Sequence, residues 1–190
     1  MPTATKQTED GRQERKIVPV RLAHFVIRTK NVRALIDWYK KVFHAEPIYD
    51  NGNLAFLYFD DEHHRIAIGK IPGLEEPNHK ASGIDHVAFS YGSIEDLLHT
   101  YARLKEIDIL PYWKIDHGLT TSLYYNDPDG NQIELQVDNF ETLQEAHDYF
   151  RSDAFAKNPI GVEIDPDLLI ARLQAGEAPH LLLSSGTRPA

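Results

Sequence analysis

Two spacings of apolar residues alternate along the chain, and the alternation then repeats. In AHFVI, Ala23, Phe25 and Ile27 fall on one face and His24 on the other, the period of a half-buried strand. The next stretch, NVRALIDWYKKVF, sets Val32, Leu35, Ile36, Tyr39 and Val42 near helical spacing, which predicts an amphipathic helix. NLAFLYF and HRIAIGKI read as strands joined through the turn Asp60-Asp61-Glu62, and the Pro/Gly-rich PGLEEPNHKASG closes the unit as a connector.

The same order then recurs. IDHVAF is a strand that carries His86 where the first strand carries His24. SIEDLLHTYARLKEI is a helix with Ser93 at its N-cap and Asp96 three positions on. DILPYWKI, TTSLYYN and NQIELQV supply further strands, and Tyr58 aligns with Tyr124 when Ile66-Ala67-Ile68 is set against Ile133-Glu134-Leu135. One βαβββ unit cannot cover its own sheet. The two units, residues 20–72 and 83–139, are therefore expected to pair in a single α+β domain over 20–139, a curved half-barrel sheet around a shared site. Residues 140–190 leave the repeat. FETLQEAHDYF reads as helix, NPIGVEID as extended chain, DPDLLIARLQAG as a short helix closed by Gly176, and SSGTRPA as a frayed end. This C-terminal extension reads as a wrap, with a lid and a contact between copies both open.

Strand parity selects the candidate chemistry. After the turn Asp127-Pro128-Asp129-Gly130, Ile133, Leu135 and Val137 share one face, which leaves Glu134 opposite, an acid where strand propensity disfavours it. On the IDHVAF strand Val87 and Phe89 likewise leave His86 opposite. The apolar faces are expected to meet the helices, so His24, His86 and Glu134 point into one concavity, and a one-residue slip would reverse all three. Singly, each is an ordinary hydrogen-bonded or solvated residue; the repeat symmetry is what selects them. Two imidazoles and a carboxylate form the facial set that suits non-haem Fe(II), and Mn(II) accepts the same donors. Ala67 holds the place in the first unit that Glu134 holds in the second, so one metal site is expected rather than two. His44, His79, His99, His147 and His180 have no repeat partner and read as solvated, whereas His63-His64 and His117 stay open on spacing alone. NDPDGNQIE is no calcium loop, because its Gly falls too early and its acid count is wrong.

Composition narrows the function classes. The 190 residues, 42% hydrophobic and 26% charged, are those of an ordinary globular chain. A net charge of −9 argues against a nucleic-acid partner. No apolar run approaches the roughly 20 residues that span a bilayer, so no membrane partner is expected. Residues 1–19 form a polar tail without an apolar signal core, which fits a cytoplasmic location. The absence of cysteine excludes disulfides and thiolate metal sites and leaves histidines and carboxylates as the ligands.

The run HGLTTSLYYNDPDGNQIE, with His117, Tyr124, Asp127-Pro128, Gly130 and Glu134 in order, resembles the signature of type I extradiol ring-cleaving dioxygenases of the vicinal oxygen chelate superfamily. DDEHHRIAIG is similar to the His-His strand of that family. The resemblance covers about residues 20–140 and points to a one-domain form built from paired βαβββ modules. It implies Fe(II) held by His24, His86 and Glu134, with His64 as the acid/base and His63 as its competitor. It further implies that His117 and Tyr124 hydrogen-bond the bound substrate. The substrates it implies are a small aromatic diol and O₂, and because members of the superfamily often pair, a homo-oligomer is expected. Tyr112, Trp113 and Tyr125 are candidates for an apolar pocket wall, with ordinary core packing an equal alternative. His64 differs in parity from Ala67, which a bulge near the turn would correct. The rival readings are a glyoxalase-like metal-dependent lyase or isomerase of the same fold, and a non-catalytic binder of aromatic ligands.

Overall fold

Each repeat folds as a strand, a helix and three strands. The computed structural model describes residues 17–183 apart from 76 and 79, together with the backbone of a short antiparallel pair, β1 (Lys6–Gln7) and β2 (Gln13–Glu14). The frayed end SSGTRPA and most of the polar tail lie outside the described residues, as does His79. The first repeat comprises β3 (Phe25–Thr29), α1 (Val32–Phe43), β4 (Glu46–Asp50), β5 (Leu54–Tyr58) and β6 (Ile66–Lys70). The second comprises β7 (His86–Ser90), α2 (Ile94–Lys105), β8 (Trp113–Asp116), β9 (Thr120–Asn126) and β10 (Gln132–Asp138). Both helices start on a capping side chain. Asn31 accepts from the Ala34 amide, and Ser93 accepts from the Asp96 amide at 3.1 Å. Glu95 and Asp96 in the first turn of α2, with Arg103 and Lys105 in its last, also suit the helix dipole.

The registers of the two repeats superpose. β3 runs parallel to β6 with Phe25 opposite Ile66 and Val26 opposite Ala67; β7 runs parallel to β10 with Val87 opposite Ile133 and Ala88 opposite Glu134. His24 and His86 therefore occupy equivalent places, and Ala67 stands where Glu134 does. One further strand out, Ala67 faces Phe56 while Glu134 faces Tyr124. The counterpart of Tyr124 is thus Phe56 and not Tyr58, which instead pairs with Glu46 on β4. The bend between β5 and β6, residues 59–65, is longer than the turn between β9 and β10, residues 127–131, and an alignment through turns of matched length slips there. Strand β4, EPIYD, has no alternation to betray it. It is an edge strand bulged between Pro47 and Tyr49, where a proline is tolerated.

The strands divide into two open sheets, in the orders β3-β6-β5-β4 and β11-β8-β9-β10-β7, where β11 is Val162–Glu163 of the extension. The helix-facing sides carry Ile27, Leu57, Ile66 and Ile68 in one sheet and Leu123, Tyr125, Ile133, Leu135 and Val137 in the other, and both pack with α1 and α2 in one core. At the junction Phe43 meets Phe89 at 4.5 Å between ring centroids, Tyr39 donates to Asp127, and Arg103 donates to the Lys41 and Val42 carbonyls at the end of α1. The edge strands β3 and β7 flank a cleft lined by Val26, Arg28, Ile84, His86 and Gln132.

The extension adds α3 (Leu143–Phe150), α4 (Asp153–Lys157), β11, α5 (Pro166–Gln174) and α6 (Pro179–Leu182). A full capping box between Thr142 and Glu145 starts α3. Strand β11 pairs antiparallel with β8, and α5 is tied to α2 through Tyr101 and Lys105 to Asp167. Its described part is thus woven into the second sheet and its helix. No helix among the described residues is long and apolar enough to cross a membrane.

Candidate active site

The open face of the second sheet carries His86, Glu134 and Tyr124 as a consequence of strand parity, since Ile133, Leu135 and Tyr125 take the helix side. Glu134 is only 4% exposed. Its Oε2 lies 3.0 Å from His86 Nε2, and His86 Nδ1 lies 2.8 Å from Asp85 Oδ2. With a carboxylate against each ring nitrogen, the neutral imidazole has one proton for two contacts, and a cation between His86 and Glu134 would free that proton for Asp85. The spacing fits a cation: two ligand atoms about 2.1 Å from one ion and at right angles lie about 3.0 Å apart.

Beside them, Tyr124 OH is 3.0 Å from His117 Nε2. Burial, and next the Glu134 charge, push the Tyr124 phenol well above its usual range, so it remains a neutral donor. Trp113, opposite Tyr124 in the register, packs on it at 4.9 Å, and His86 meets the same ring edge-on at 5.3 Å. Tyr112 extends this aromatic wall, its centroid 6.2 Å from that of Tyr124. Tyr125 does not belong to it, being fully buried on the helix side as ordinary core.

His24 and His64 form a second group on the first sheet, their ring centroids 4.5 Å apart, with Phe56 4.9 Å from His64. The bend before β6 turns His64 onto the side of Phe56 and His24, which settles its parity. Arg65 secures the bend by donating to Asp60 and to the carbonyls of Leu22 and Ala23, just ahead of His24. His63 Nδ1 lies 2.6 Å from His64 Nδ1. Desolvation, followed by the neighbouring His24 and His63, lowers the pKa of His64.

The six residues singled out from the sequence thus fall into two groups: His86, Glu134, Tyr124 and His117 on the second sheet, His24 and His64 on the first. Among the described residues no three His, Cys, Asp or Glu side chains are placed to hold one metal ion. One chain brings two of the three expected ligands together. Two neighbours escaped the sequence reading. Asp85 directly precedes His86 and was visible as such, but the Ile160 carbonyl, which accepts from His117 Nδ1, is a backbone group with no signal of its own.

A family model described as Glyoxalase/Bleomycin resistance protein/Dioxygenase superfamily matches residues 21–135. The chain is 45% identical over 157 residues to biphenyl-2,3-diol 1,2-dioxygenase 2 of Rhodococcus globerulus, covering 82% of this chain and 83% of that one. It is 41% identical to biphenyl-2,3-diol 1,2-dioxygenase 3 of the same organism, covering 84% and 85%. Among solved structures, the fosfomycin resistance protein FosX of Listeria monocytogenes, complexed with Mn(II) and sulfate, shares the fold with a TM-score of 0.53 at 21% identity, covering 70% of this chain and 99% of that one.

Proposed function

We infer, from a chain that belongs to the Glyoxalase/Bleomycin resistance protein/Dioxygenase superfamily, that this protein opens the ring of a small aromatic diol beside its two hydroxyls, adding both atoms of O₂. It is an extradiol dioxygenase, and we assign it a catechol-type substrate with one ring or two, Fe(II) as its metal with Mn(II) able to take the same donors, and a cytoplasmic location. The observation that carries this reading is the buried Glu134 carboxylate against His86, flanked by the Tyr124–His117 pair. The lyase, isomerase and binding-only readings give that extra pair no task.

Bound iron would pass electrons between diol and O₂ and hold the two together. The chain supplies the rest. His86, Glu134 and His24 would hold the ion. Tyr124 and His117 would orient the diol oxygens, Trp113 and Tyr112 would wall the ring, and His64 would carry a proton to and from the reacting oxygen. Since His24 and His64 stand apart from His86 and Glu134 within one chain, we infer a homo-oligomer in which the first-sheet group of one copy faces the second-sheet group of another.

The test is anaerobic reconstitution with Fe(II), followed by catechol and biphenyl-2,3-diol under air. Oxygen uptake with a yellow ring-opened product is expected. Glyoxalase-type turnover without oxygen uptake would support the lyase reading instead, and diol binding indifferent to chelators would support the binder.

A further inference from the structure

We propose that the C-terminal extension is part of the active site: the Ile160 carbonyl fixes His117 as its Nδ1–H tautomer, reserving Nε2 as an acceptor beside Tyr124. The proposal rests on the role given to His117 above and adds the group that positions it. A carbonyl only accepts hydrogen bonds, so the ring nitrogen that meets the Ile160 oxygen, Nδ1, carries a proton. In the neutral ring Nε2 then holds a lone pair 3.0 Å from the Tyr124 hydroxyl, for whose one proton it competes with the Glu134 carboxylate. With the opposite tautomer, Nε2 would point a hydrogen at that hydroxyl and Nδ1 would set a lone pair against the carbonyl.

The backbone around this contact is tightly built. Gly161 has φ +110°, and a Cβ there would lie 2.0 Å from the Asp116 carbonyl oxygen and 2.7 Å from His117 Cα. Asn158 clamps the segment from both ends of its amide, accepting from Gly161 N at 3.0 Å and donating to Gly161 O at 2.7 Å. Val162 then enters the sheet opposite Asp116. On the other side of the loop a Cβ at Gly118 would lie 2.0 Å from the Tyr149 hydroxyl of α3. Helix α3 and the 158–162 segment thus hold His117 between them. Asn158 and Gly161 are positioning residues, and the extension acts on the site through His117.

The test uses the full-length protein labelled with ¹⁵N-histidine and loaded with Zn(II) as a diamagnetic substitute for iron. Long-range ¹H–¹⁵N spectra at a pH where the imidazoles are neutral, with His117 assigned by its loss in His117→Gln, should show Nδ1 protonated. Asn158→Ala should mix the tautomers and lower kcat of the iron-loaded enzyme on the order of tenfold, with iron content and thermal midpoint little changed. Asn158→Asp, which keeps the acceptor and loses the donor, should fall between. An Nε2–H tautomer in the wild type overturns the proposal, and this outcome does not depend on the Asn158 variants folding. So does an Asn158→Ala protein with unchanged tautomer and kcat. Because the tautomer is read without substrate, failure of this assignment is separable from failure of the dioxygenase reading.

Discussion

Glu134 is an acidic side chain almost fully buried in the middle of a strand, a combination that persists only where something compensates the carboxyl group. His86 is the compensating neighbour, and a divalent ion held by the two, as proposed above, would account for both. Glu134→Gln keeps the shape and removes the charge, so it should lose most bound iron while the fold is retained; metal analysis beside circular dichroism checks this, and full iron content in a folded variant would sink the site. His64 differs in kind, having been assigned proton transfer and not ligation. His64→Phe should keep iron and lose about 10²–10⁴-fold in kcat, the usual worth of a general acid/base, whereas His63→Phe should retain most turnover. Steady-state oxygen uptake at matched iron loading separates the two. Parity along three strands was enough to bring His86 and Glu134 to one face from sequence. It could not reveal the Ile160 oxygen, because every residue has a carbonyl and only the tertiary fold selects one.

The elements were legible where their pattern was strong. Helix α1 follows from apolar spacing, α2 from apolar spacing plus Ser93, and β10 from its strict alternation. Strand β4 was not, since an edge strand with a proline and mostly exposed side chains has no buried face to impress on the sequence. The β9–β10 turn shows how an element sets the site. Asp127 Oδ1 accepts from the Asp129 and Asn131 amides, and its Oδ2 accepts from the Asn131 side chain and from Tyr39 OH of α1. These bonds fix the register that puts Glu134 opposite Tyr124. Asp127→Ala strands several partly buried donors and should destabilise the fold by about 3 kcal/mol, read as a lower urea midpoint with an unchanged slope. A shift of less than about 0.5 kcal/mol would show that the turn holds its register without the carboxylate.

At the scale of the whole molecule, the sequence announced two halves of one site but not which halves meet, because two repeats of one chain and repeats of two copies satisfy the same pattern. The chain itself favours two copies. Among the described residues His24 is exposed, the edge strands β3 and β7 have no strand partner along the cleft, and the apolar Val26 and Ile84 lining it are 60% and 88% exposed. A two-fold dimer would cover that surface and form two sites at once, each taking His24 and His64 from one copy and His86 and Glu134 from the other. The solution mass should accordingly be about twice 21.7 kDa. Complementation gives the sharper test. His24→Ala and Glu134→Ala should each bind little iron as homodimers. Co-expressed under different tags and purified through both, the mixed dimer holds one site with every ligand intact and one lacking two, so about half of the wild-type iron and ring-cleavage activity should return. If His24, His86 and Glu134 met within a single chain, every site in that mixed dimer would lack a ligand and nothing would be restored.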